Sequence, residues 1–155
     1  MATDPPAPGE RWIYCDAGHV HWGANGAAGL LLRYVPRNGD AEYLLTQRSR
    51  WVDEGTTWGM PGGAIRDGES PETAAERETI EEIGQLPSYR VTGIEAQDCG
   101  GGWVFHIISA DVARRFEAYC GQETDATGWF GVDSIRELPL HPGLRRWLDE
   151  RTQAH

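Results

Sequence analysis

The sequence is short of basic residues. It has 14 lysine and arginine residues against 24 aspartate and glutamate residues, which gives a formal net charge of −10. A protein that grips a nucleic-acid duplex presents a basic surface, so a duplex is not an expected partner. An acidic surface that aids solubility accounts for most of this charge. The charge also weakly favours a site in which a divalent cation lies between protein carboxylates and an anionic ligand.

Cysteine is also scarce, with Cys15, Cys99 and Cys120 as the three in the chain. They are odd in number, far apart and without a C-x-x-C pair, so the sequence predicts neither a disulfide framework nor a zinc site. This usage fits a reducing compartment, and we expect a cytoplasmic protein. No basic region followed by an apolar run marks a signal peptide. No stretch approaches the roughly 18–20 apolar residues of a membrane span, so no membrane partner is expected.

The rest of the composition is typical of a globular domain. A chain of 155 residues with 39% hydrophobic residues is long enough for one domain with its own core. Residues 1–10 are rich in proline and lack an apolar pattern, so we expect a flexible N-terminal tail there. Residues 11–155 are expected to form a single domain, because neither a linker nor an internal repeat interrupts them. A homodimer is left open.

Short apolar runs between turn residues predict a sheet. The expected strands lie near residues 12–15, 26–35, 42–47, 90–96, 103–109 and 128–132. The Asn38-Gly39-Asp40 cluster predicts a hairpin between the second and third of these runs. Residues 100–102 are all glycine and predict a second turn.

Two helices interrupt these strands. The segment Pro71–Ile83 is predicted to be helical, because Ser70 can cap its start and Gly84 can end it. Apolar residues at helical spacing over residues 144–148 predict a closing amphipathic helix. Strands interleaved with helices indicate a single α/β sandwich.

The first helix carries a cluster of acidic side chains. At about 100° per residue, Glu78, Glu81 and Glu82 fall on one helical face. Ile80 and Ile83 are expected to point the opposite way, where a sheet can cover them. Carboxylates crowded on one face repel one another unless something positive joins them. Mg²⁺ and Mn²⁺ bind carboxylate oxygens, so the cluster indicates a metal site.

A plainer interpretation of each feature exists: an acidic helix is usually a solvated face, Gly-Gly a turn and Ser-Pro a cap. Their joint occurrence at fixed spacing favours a functional site. The pattern G-x5-E-x7-R-E-x2-E-E-x-G is complete here, as Gly63, Glu69, Arg77, Glu78, Glu81, Glu82 and Gly84. It resembles the signature of the Nudix hydrolases. Thr79 and Gln85 depart from it, since that family usually has an aliphatic residue at both positions.

The resemblance implies a Nudix-like α/β/α sandwich with a mixed β-sheet, in which a loop–helix–loop is the catalytic element. It also implies that Glu78 and Glu82 are the main ligands of Mg²⁺ or Mn²⁺. Glu81 would complete the cluster as a ligand or through water. A backbone carbonyl at Gly62 or Gly63 would add an oxygen.

Other acidic and basic residues receive roles from the same resemblance. Arg77 would orient a carboxylate by a charged hydrogen bond. Glu69 would hold the entrance loop of the motif or bind a further ion. Similar proteins often recruit another acid from a distant loop, as ligand or general base, and Glu123 is the candidate here. Asp125 is its rival, and a solvated loop acid is the plainer alternative for both.

The substrate side of the site is less clearly marked. Arg48, at the end of a strand, is a candidate phosphate contact, with a surface arginine as the alternative. Trp58 is a candidate cleft wall, with core packing as the alternative. His141 is a candidate contact to the nucleotide base, with an inert loop histidine as the alternative. Other candidate stacking platforms are Trp51, Trp103 and Phe105. Members that cleave 8-oxo-dGTP read the base with a late-loop asparagine, and no asparagine follows Asn38.

The resemblance therefore implies an enzyme that hydrolyses a phosphoanhydride bond in a nucleoside diphosphate linked to another moiety. The open substrate classes are a nucleoside triphosphate, ADP-ribose or another sugar nucleotide, a dinucleotide and coenzyme A. The alternative from another class is a Nudix-like domain that senses a nucleotide without cutting it. Such domains generally lose glutamates of the motif, and all four are present here.

Overall fold

The computed structural model describes residues 5–16, 18–52 and 54–153. Within these ranges the chain forms nine β-strands and three α-helices. In chain order they are β1 (Trp12–Tyr14), β2 (Val20–Trp22), β3 (Ala27–Tyr34), β4 (Glu42–Arg48), β5 (Trp58–Gly59), β6 (Gly62–Ala64), α1 (Pro71–Ile83), β7 (Arg90–Gly100), β8 (Trp103–Asp111), β9 (Thr124–Gly131), α2 (Val132–Arg136) and α3 (Pro142–Gln153). None of these helices has the length and apolar character needed to cross a membrane.

Seven of the strands form one mixed sheet. Five of them lie in the order β5-β4-β3-β8-β7, while β6 pairs with β3 and β9 pairs with β4. The central pair, β3 and β8, is parallel, and the remaining pairs are antiparallel. The mixed sheet implied by the resemblance is therefore confirmed.

Helices cover both faces of this sheet. The apolar cluster on one face joins β3 to α1 and includes Leu30, Leu32, Ala75 and Ile83. The cluster on the other face joins β3 and β4 to α3 and includes Leu31, Leu45, Leu144 and Leu148. Neighbouring residues of a strand point to opposite faces, so Leu30 and Leu31 enter different clusters. The α/β/α layering is confirmed, and burial on both faces explains why the run through β3 is continuously apolar.

Helix α1 has the predicted limits. The Ser70 hydroxyl accepts a hydrogen bond from the Thr73 N–H at 3.1 Å, and Pro71 is the first helical residue. Gly84 ends the helix with a φ of 78°. A positive φ is cheap only for glycine, so this residue stops the helix at a fixed point.

The burial of the α1 apolar side chains differs from the prediction at Ile80. Ile83 is fully buried, but Ile80 is 45% exposed, so the prediction that both face the sheet is wrong for Ile80. The sheet-facing row is instead Ala75, Thr79 and Ile83, spaced four residues apart. Burial does not leave the Thr79 hydroxyl without a hydrogen-bond partner, because it donates to the Ala75 carbonyl at 2.7 Å.

Strands β7 and β9 are longer than predicted. β7 extends to Gly100, and β9 begins at Thr124 and pairs along nearly the whole of β4. The first residues of β9 are polar or small, so they lack the apolar pattern from which strands are predicted. Their place in the sheet comes from pairing with β4, which is a tertiary contact.

The hairpin of β1 and β2 forms a separate two-stranded sheet. Trp12 pairs with Trp22 and Tyr14 with Val20, and all four side chains are exposed. A two-stranded hairpin with solvated side chains has little stability of its own. Its position must therefore be held by contacts outside its own strands.

The segment before this hairpin is attached to the body of the protein at its end. The Pro8 carbonyl accepts from the Asp67 N–H at 3.0 Å, and the Gly9 carbonyl accepts from the Ala24 N–H at 2.7 Å. A free tail of the kind predicted over residues 1–10 would therefore end before Pro8. Residues 1–4 lie outside the described residues.

Two of the cysteines lie together, contrary to the expectation from their spacing. Cys15 and Cys99 are 84 residues apart in the sequence, yet their Cα atoms are 5.8 Å apart and their sulfur atoms are paired as a disulfide, which the sequence did not predict. The end of β1 meets the turn between β7 and β8, and this tertiary contact leaves no signal in the cysteine spacing. Cys120 is exposed and free.

Candidate active site

The acidic cluster of α1 lies directly against the backbone of β6. The Gly62 N–H donates to Oε2 of Glu82 at 3.1 Å. A Cβ on Gly63 would lie 2.5 Å from the carboxyl carbon of Glu78, so only glycine leaves room for this carboxylate. The pairing of β6 with β3 fixes this backbone, with Gly62 opposite Gly29. The strand and the helix therefore enclose Glu78 and Glu82 between them.

Both enclosed carboxyl groups have raised pKa values. Burial, then the charge of Glu81, raises the pKa of Glu78 to about 7 against the opposing effect of Arg77. Burial, then the charge of Glu78, raises the pKa of Glu82 well above its ordinary value, although the Gly62 N–H and Arg48 oppose this. Partial burial and the neighbouring carboxylates therefore disfavour the ionised form of both groups despite the positive charge nearby.

Arg77 links the entrance loop to the cluster. Its guanidinium makes two hydrogen bonds to Glu69, at 2.8 and 2.9 Å, and one to the Ala64 carbonyl at 3.0 Å. It also donates to Oε1 of Glu78 at 3.0 Å. These partners hold the pKa of Arg77 above its ordinary value, with the Glu69 hydrogen bond as the largest cause. Glu69 and the Ala64 carbonyl therefore fix the Arg77 guanidinium, which in turn positions the Glu78 carboxylate.

Glu69 is placed as a clamp on the loop between β6 and α1. Its Oε1 accepts the Arg66 N–H at 2.8 Å in addition to the Arg77 hydrogen bond. The Arg77 hydrogen bond is the largest cause that lowers the pKa of Glu69. Both carboxylate oxygens thus accept hydrogen bonds from protein groups, as expected if Glu69 holds the loop in place. A role in binding a further ion stays a prediction.

Glu81 lies farther out than its two neighbours. Its side chain is 51% exposed, and its Oε1 accepts from Arg77 at 3.3 Å. The predicted face of three carboxylates therefore consists of two enclosed groups and one at the rim. From this rim Glu81 still acts on Glu78, whose pKa its charge raises.

The donors at this site suit a hard divalent cation. Glu78 and Glu82 offer carboxylate oxygens, and the shortage of positive charge beside them is what a cation would remove. Gly62 contacts the cluster through its N–H, which donates to Glu82. A ligand role for the carbonyl of Gly62 or Gly63 stays a prediction. Mg²⁺ and Mn²⁺ both prefer such oxygen donors.

The loop before β9 packs on the end of α1 and carries Glu123 to the site. The Gly121 N–H donates to the Glu82 carbonyl at 2.7 Å, and the Tyr119 N–H to the Ile83 carbonyl at 3.0 Å. The charge of Glu123 is among the causes that raise the pKa of Glu82, so its exposed carboxylate lies within electrostatic reach. Its rival Asp125 is exposed and is not among those causes.

Arg48 lies within electrostatic reach of both the acidic cluster and His141. It is half-buried and pairs with Thr124 in the sheet. Its charge lowers the pKa of Glu82 and also that of His141. The structure therefore brings this predicted phosphate contact beside the carboxylates. Its position fits an anion that also reaches a cation held by them.

His141 is held neutral within electrostatic reach of Arg48. Burial, and secondarily the charge of Arg48, lowers its pKa to about 4. Its Nδ1 accepts the Gly143 N–H at 3.1 Å, so the remaining proton of the neutral ring is assigned to Nε2. The His141 N–H donates to the Trp58 carbonyl at 2.8 Å, which ties the late loop to β5.

Trp58 is a packed aromatic residue at this edge of the sheet. Its ring is half-buried and meets Phe130 edge to face, with ring centroids 5.1 Å apart. It also packs against the apolar cluster under α3. Core packing accounts for these contacts of Trp58, and its role as a wall of a substrate cleft stays a prediction. Among the other stacking candidates, Trp51 is 81% exposed, and Trp103 stacks on His21.

Sequence patterns alone missed the backbone groups of the site. The Ala64 carbonyl holds Arg77, and the Gly121 N–H holds the end of α1. Backbone groups are common to all residues, so no sequence pattern marks Ala64. Gly121 has a weak signal in being glycine: a Cβ there would lie 2.5 Å from the Glu81 carbonyl oxygen.

Comparison with known proteins was made for the sequence and for the fold. The model of the NUDIX domain matches residues 32–150. A protein of Mycobacterium tuberculosis (strain H37Rv) named "Putative 8-oxo-dGTP diphosphatase 3" is 36% identical over 166 residues, covering 98% of this chain and 76% of that protein. A "Nucleoside triphosphate pyrophosphatase/Nudix hydrolase fusion protein" of Bifidobacterium longum is 43% identical over 106 residues, covering 66% of this chain but 22% of the relative.

The fold comparison agrees with the sequence comparison. The crystal structure of RenU, a Nudix hydrolase from M. smegmatis, superposes with a TM-score of 0.81 at 33% sequence identity, and the match covers 94% of both chains. The family match spans most of the chain and includes the whole of α1. The chain therefore belongs to the Nudix family and is a Nudix hydrolase.

Proposed function

We propose that this enzyme hydrolyses a phosphoanhydride bond in a nucleoside diphosphate linked to another moiety, with Mg²⁺ or Mn²⁺ as cofactor. The observation that carries the proposal is the enclosure of Glu78 and Glu82 between α1 and the glycines of β6. Two partly buried carboxyl groups with raised pKa values bind a divalent cation at the expense of protons. An anionic diphosphate would meet the same cation in an otherwise acidic protein.

The proposed metal ligands are Glu78 and Glu82, with Glu81 at the rim and a carbonyl of Gly62 or Gly63. When bound, the cation would neutralise charge on the phosphates and make a bound water a stronger nucleophile. Arg77 keeps one oxygen of Glu78 engaged and so orients the carboxylate. Glu69 holds Arg77 and the loop before α1 in place.

Two groups at the rim would act on the reacting phosphates. Glu123 is the proposed general base, because its loop is fixed to the end of α1 and its charge reaches Glu82. A base in this position would accept a proton from the attacking water, directly or through one further water. Arg48 would bind a phosphate oxygen and offset the negative charge of the acidic cluster.

The substrate class is proposed from the relatives and from the late loop. The M. tuberculosis relative is named for 8-oxo-dGTP and the B. longum relative for nucleoside triphosphates, so nucleoside triphosphates are the first class to test. His141, neutral and with a proton on Nε2, would donate a hydrogen bond to the base or sugar. Trp58 would form a wall of the same cleft. Cytoplasmic location is part of this proposal.

A substrate panel tests the proposal. Nucleoside triphosphates including 8-oxo-dGTP, ADP-ribose, a sugar nucleotide, a dinucleoside polyphosphate and coenzyme A are incubated with the full chain, and products are identified by mass. We expect turnover that requires Mg²⁺ or Mn²⁺ and stops with a chelator. Glu82→Gln should lower turnover by about a hundredfold or more, since the amide keeps the shape and loses the charge.

Glu76→Gln is the matched control, because Glu76 lies on the exposed side of the same helix. It should keep turnover. Full activity in Glu82→Gln would refute the assignment of Glu82. Binding of several nucleotides without any product would favour the sensing domain over the hydrolase.

A further inference from the structure

Four side chains with metal-binding atoms meet on the opposite side of the N-terminal hairpin from its exposed aromatic residues. Cys15, His19 and His21 come from the β1–β2 hairpin, and Cys99 comes from the end of β7. One ligand atom from each of the four lies within 4.8 Å of all the others. Nothing in the proposed hydrolysis uses these residues.

The nitrogen–sulfur spacing in this group is that of ligands around one tetrahedral ion, whereas the two sulfur atoms lie closer together, as in a disulfide. Nε2 of His21 is 3.2 Å from Sγ of Cys99, and Nδ1 of His19 is 3.6 Å from the same sulfur. Zinc binds sulfur at about 2.3 Å and imidazole nitrogen at about 2.0–2.1 Å, which places neighbouring sulfur and nitrogen ligands about 3.5 Å apart in a tetrahedron. The observed separations lie on either side of that value.

The local backbone holds the hairpin ligands in place. The Cys15 N–H donates to the His19 carbonyl at 3.0 Å, and the Gly18 N–H donates to the Cys15 carbonyl at 3.0 Å. This tight turn puts Cys15 and His19 next to each other. The ring of His21 is stacked on Trp103, with centroids 3.8 Å apart and planes 11° apart, so its orientation is fixed too.

Glycine in the β7–β8 turn lets the fourth ligand approach. A Cβ on Gly100 would lie 2.7 Å from the Cβ of Asp16, and Gly100 has a φ of 86°. A larger residue would both strain the turn and push it away from the hairpin. The turn therefore brings Cys99 close to Cys15.

We propose that Cys15, His19, His21 and Cys99 bind one Zn²⁺ ion that fastens the β1–β2 hairpin to the β7–β8 turn. Two thiolates and two imidazoles are a common ligand set of structural zinc, and four protein ligands leave no position open for a reacting water. Binding releases the two thiol protons to solvent and changes no oxidation state. The site is separate from the acidic cluster, where oxygen ligands favour Mg²⁺ or Mn²⁺.

A disulfide between Cys15 and Cys99 is the competing arrangement, because the structure places the two sulfur atoms at bonding distance and the Cα separation of 5.8 Å suits a disulfide. A disulfide would use neither histidine, whereas both rings turn a nitrogen toward the sulfur of Cys99. Zinc accounts for all four side chains. It also supplies the external attachment that a solvated two-stranded hairpin needs.

Metal analysis of the full chain tests the proposal. The protein is expressed in a reducing cytoplasm and purified without chelator, and its zinc content is measured by mass spectrometry. We expect about one zinc per chain in the unsubstituted protein, and near-complete loss in Cys15→Ser and in Cys99→Ser. Cys120→Ser is the matched control, since Cys120 is exposed and free, and it should keep the zinc.

A second measurement covers the case in which the cysteine variants fail to fold. The zinc of the unsubstituted protein is exchanged for Co²⁺, and we expect the charge-transfer absorption of cobalt–thiolate bonds. The acidic cluster has no sulfur ligand and gives no such band. A zinc-free protein, a Cys15–Cys99 disulfide without zinc, zinc retained in both cysteine variants, or no thiolate band would each overturn the proposal.

Discussion

The protein holds two groups of metal-binding side chains that are built in different ways. The acidic cluster takes Glu78, Glu81 and Glu82 from a single helix, and its backbone partner is the short strand β6. The cysteine–histidine cluster takes its members from two hairpins that are far apart in the sequence. One group offers oxygen atoms and the other offers sulfur and nitrogen.

This difference separates what each group is suited to do. Oxygen ligands beside an exposed rim leave room for water and phosphate, as a catalytic ion requires. Four sulfur and nitrogen ligands close the coordination of zinc, as a structural ion requires. The acidic cluster should therefore govern turnover, and the cysteine–histidine cluster should govern the stability of the N-terminal hairpin.

The largest expected effect is a separation of activity from zinc content. Glu78→Gln should lower kcat by about a hundredfold to a thousandfold, because it removes a partly buried carboxylate beside the reacting phosphates, and should leave zinc content unchanged. Cys99→Ser should remove the zinc and lower the Tm, while kcat of the folded protein stays within about a factor of two. Loss of zinc in Glu78→Gln would show that the two clusters are coupled.

A pair of glycine substitutions sharpens the account of the acidic cluster. In Gly63→Ala the new methyl group meets the end of the flexible Glu78 side chain, which can move aside. We expect a Tm close to that of the unsubstituted protein and turnover lowered by about tenfold to a hundredfold, with a higher Mg²⁺ requirement.

The neighbouring substitution, Gly62→Ala, should instead lower the stability of the fold. In Gly62→Ala the methyl group meets the Ala28 carbonyl oxygen at 2.5 Å, which is backbone of the central strand. The free energy of unfolding should fall by about 1–3 kcal/mol. Thermal melts and metal titrations of both variants check this, and equal stability of the two would contradict the placement of β6.

A pH effect of intermediate size is expected from His141. Burial and Arg48 lower its folded-state pKa from 6.5 to about 4. Between these values the unfolded chain binds a proton that the folded protein does not, so the free energy of unfolding decreases as the pH falls. From pH 7.5 to pH 5 this histidine should remove about 2 kcal/mol.

Urea unfolding of the unsubstituted protein and of His141→Gln at both pH values isolates this contribution. Other titrating groups, including those of the cysteine–histidine cluster, affect both proteins alike and cancel in the difference. The variant should lose less stability on acidification. Parallel losses would mean that His141 is protonated in the folded protein.

The smallest effect is expected at Ile80. Its side chain is 45% exposed, so Ile80→Ala should change the free energy of unfolding by less than about 0.5 kcal/mol. Ile83→Ala, at a fully buried position of the same helix, should cost about 2–5 kcal/mol. Equal losses in chemical denaturation would mean that α1 is rotated about its axis.

The sequence was sufficient for α1 because the residues that define it lie within it or beside it. Ser70 caps the start and Gly84 stops the end through local hydrogen bonds and a positive φ. The acidic motif is equally local, so its resemblance to the Nudix signature led to the family. The buried run of β3 was predictable for the same reason, since both faces of that strand are apolar.

Other features depend on contacts that local patterns do not contain. Which side of α1 meets the sheet follows from its packing on β3, so helical spacing alone placed Ile80 wrongly. The start of β9 follows from its pairing with β4. Cys99 lies far along the chain from Cys15, although the spacing Cys15-x3-His19-x-His21 is a signal that could have identified three of the four members of the cluster.

The attachment of the loop before β9 to the end of α1 has an evolutionary consequence. That attachment consists of peptide N–H groups and carbonyls, which substitution by residues other than proline leaves in place. Related enzymes are therefore free to vary most side chains of this loop while keeping an acid at a constant distance from the helix. Inserted or deleted residues would shift that acid, so selection should act on the length of the loop more than on its composition.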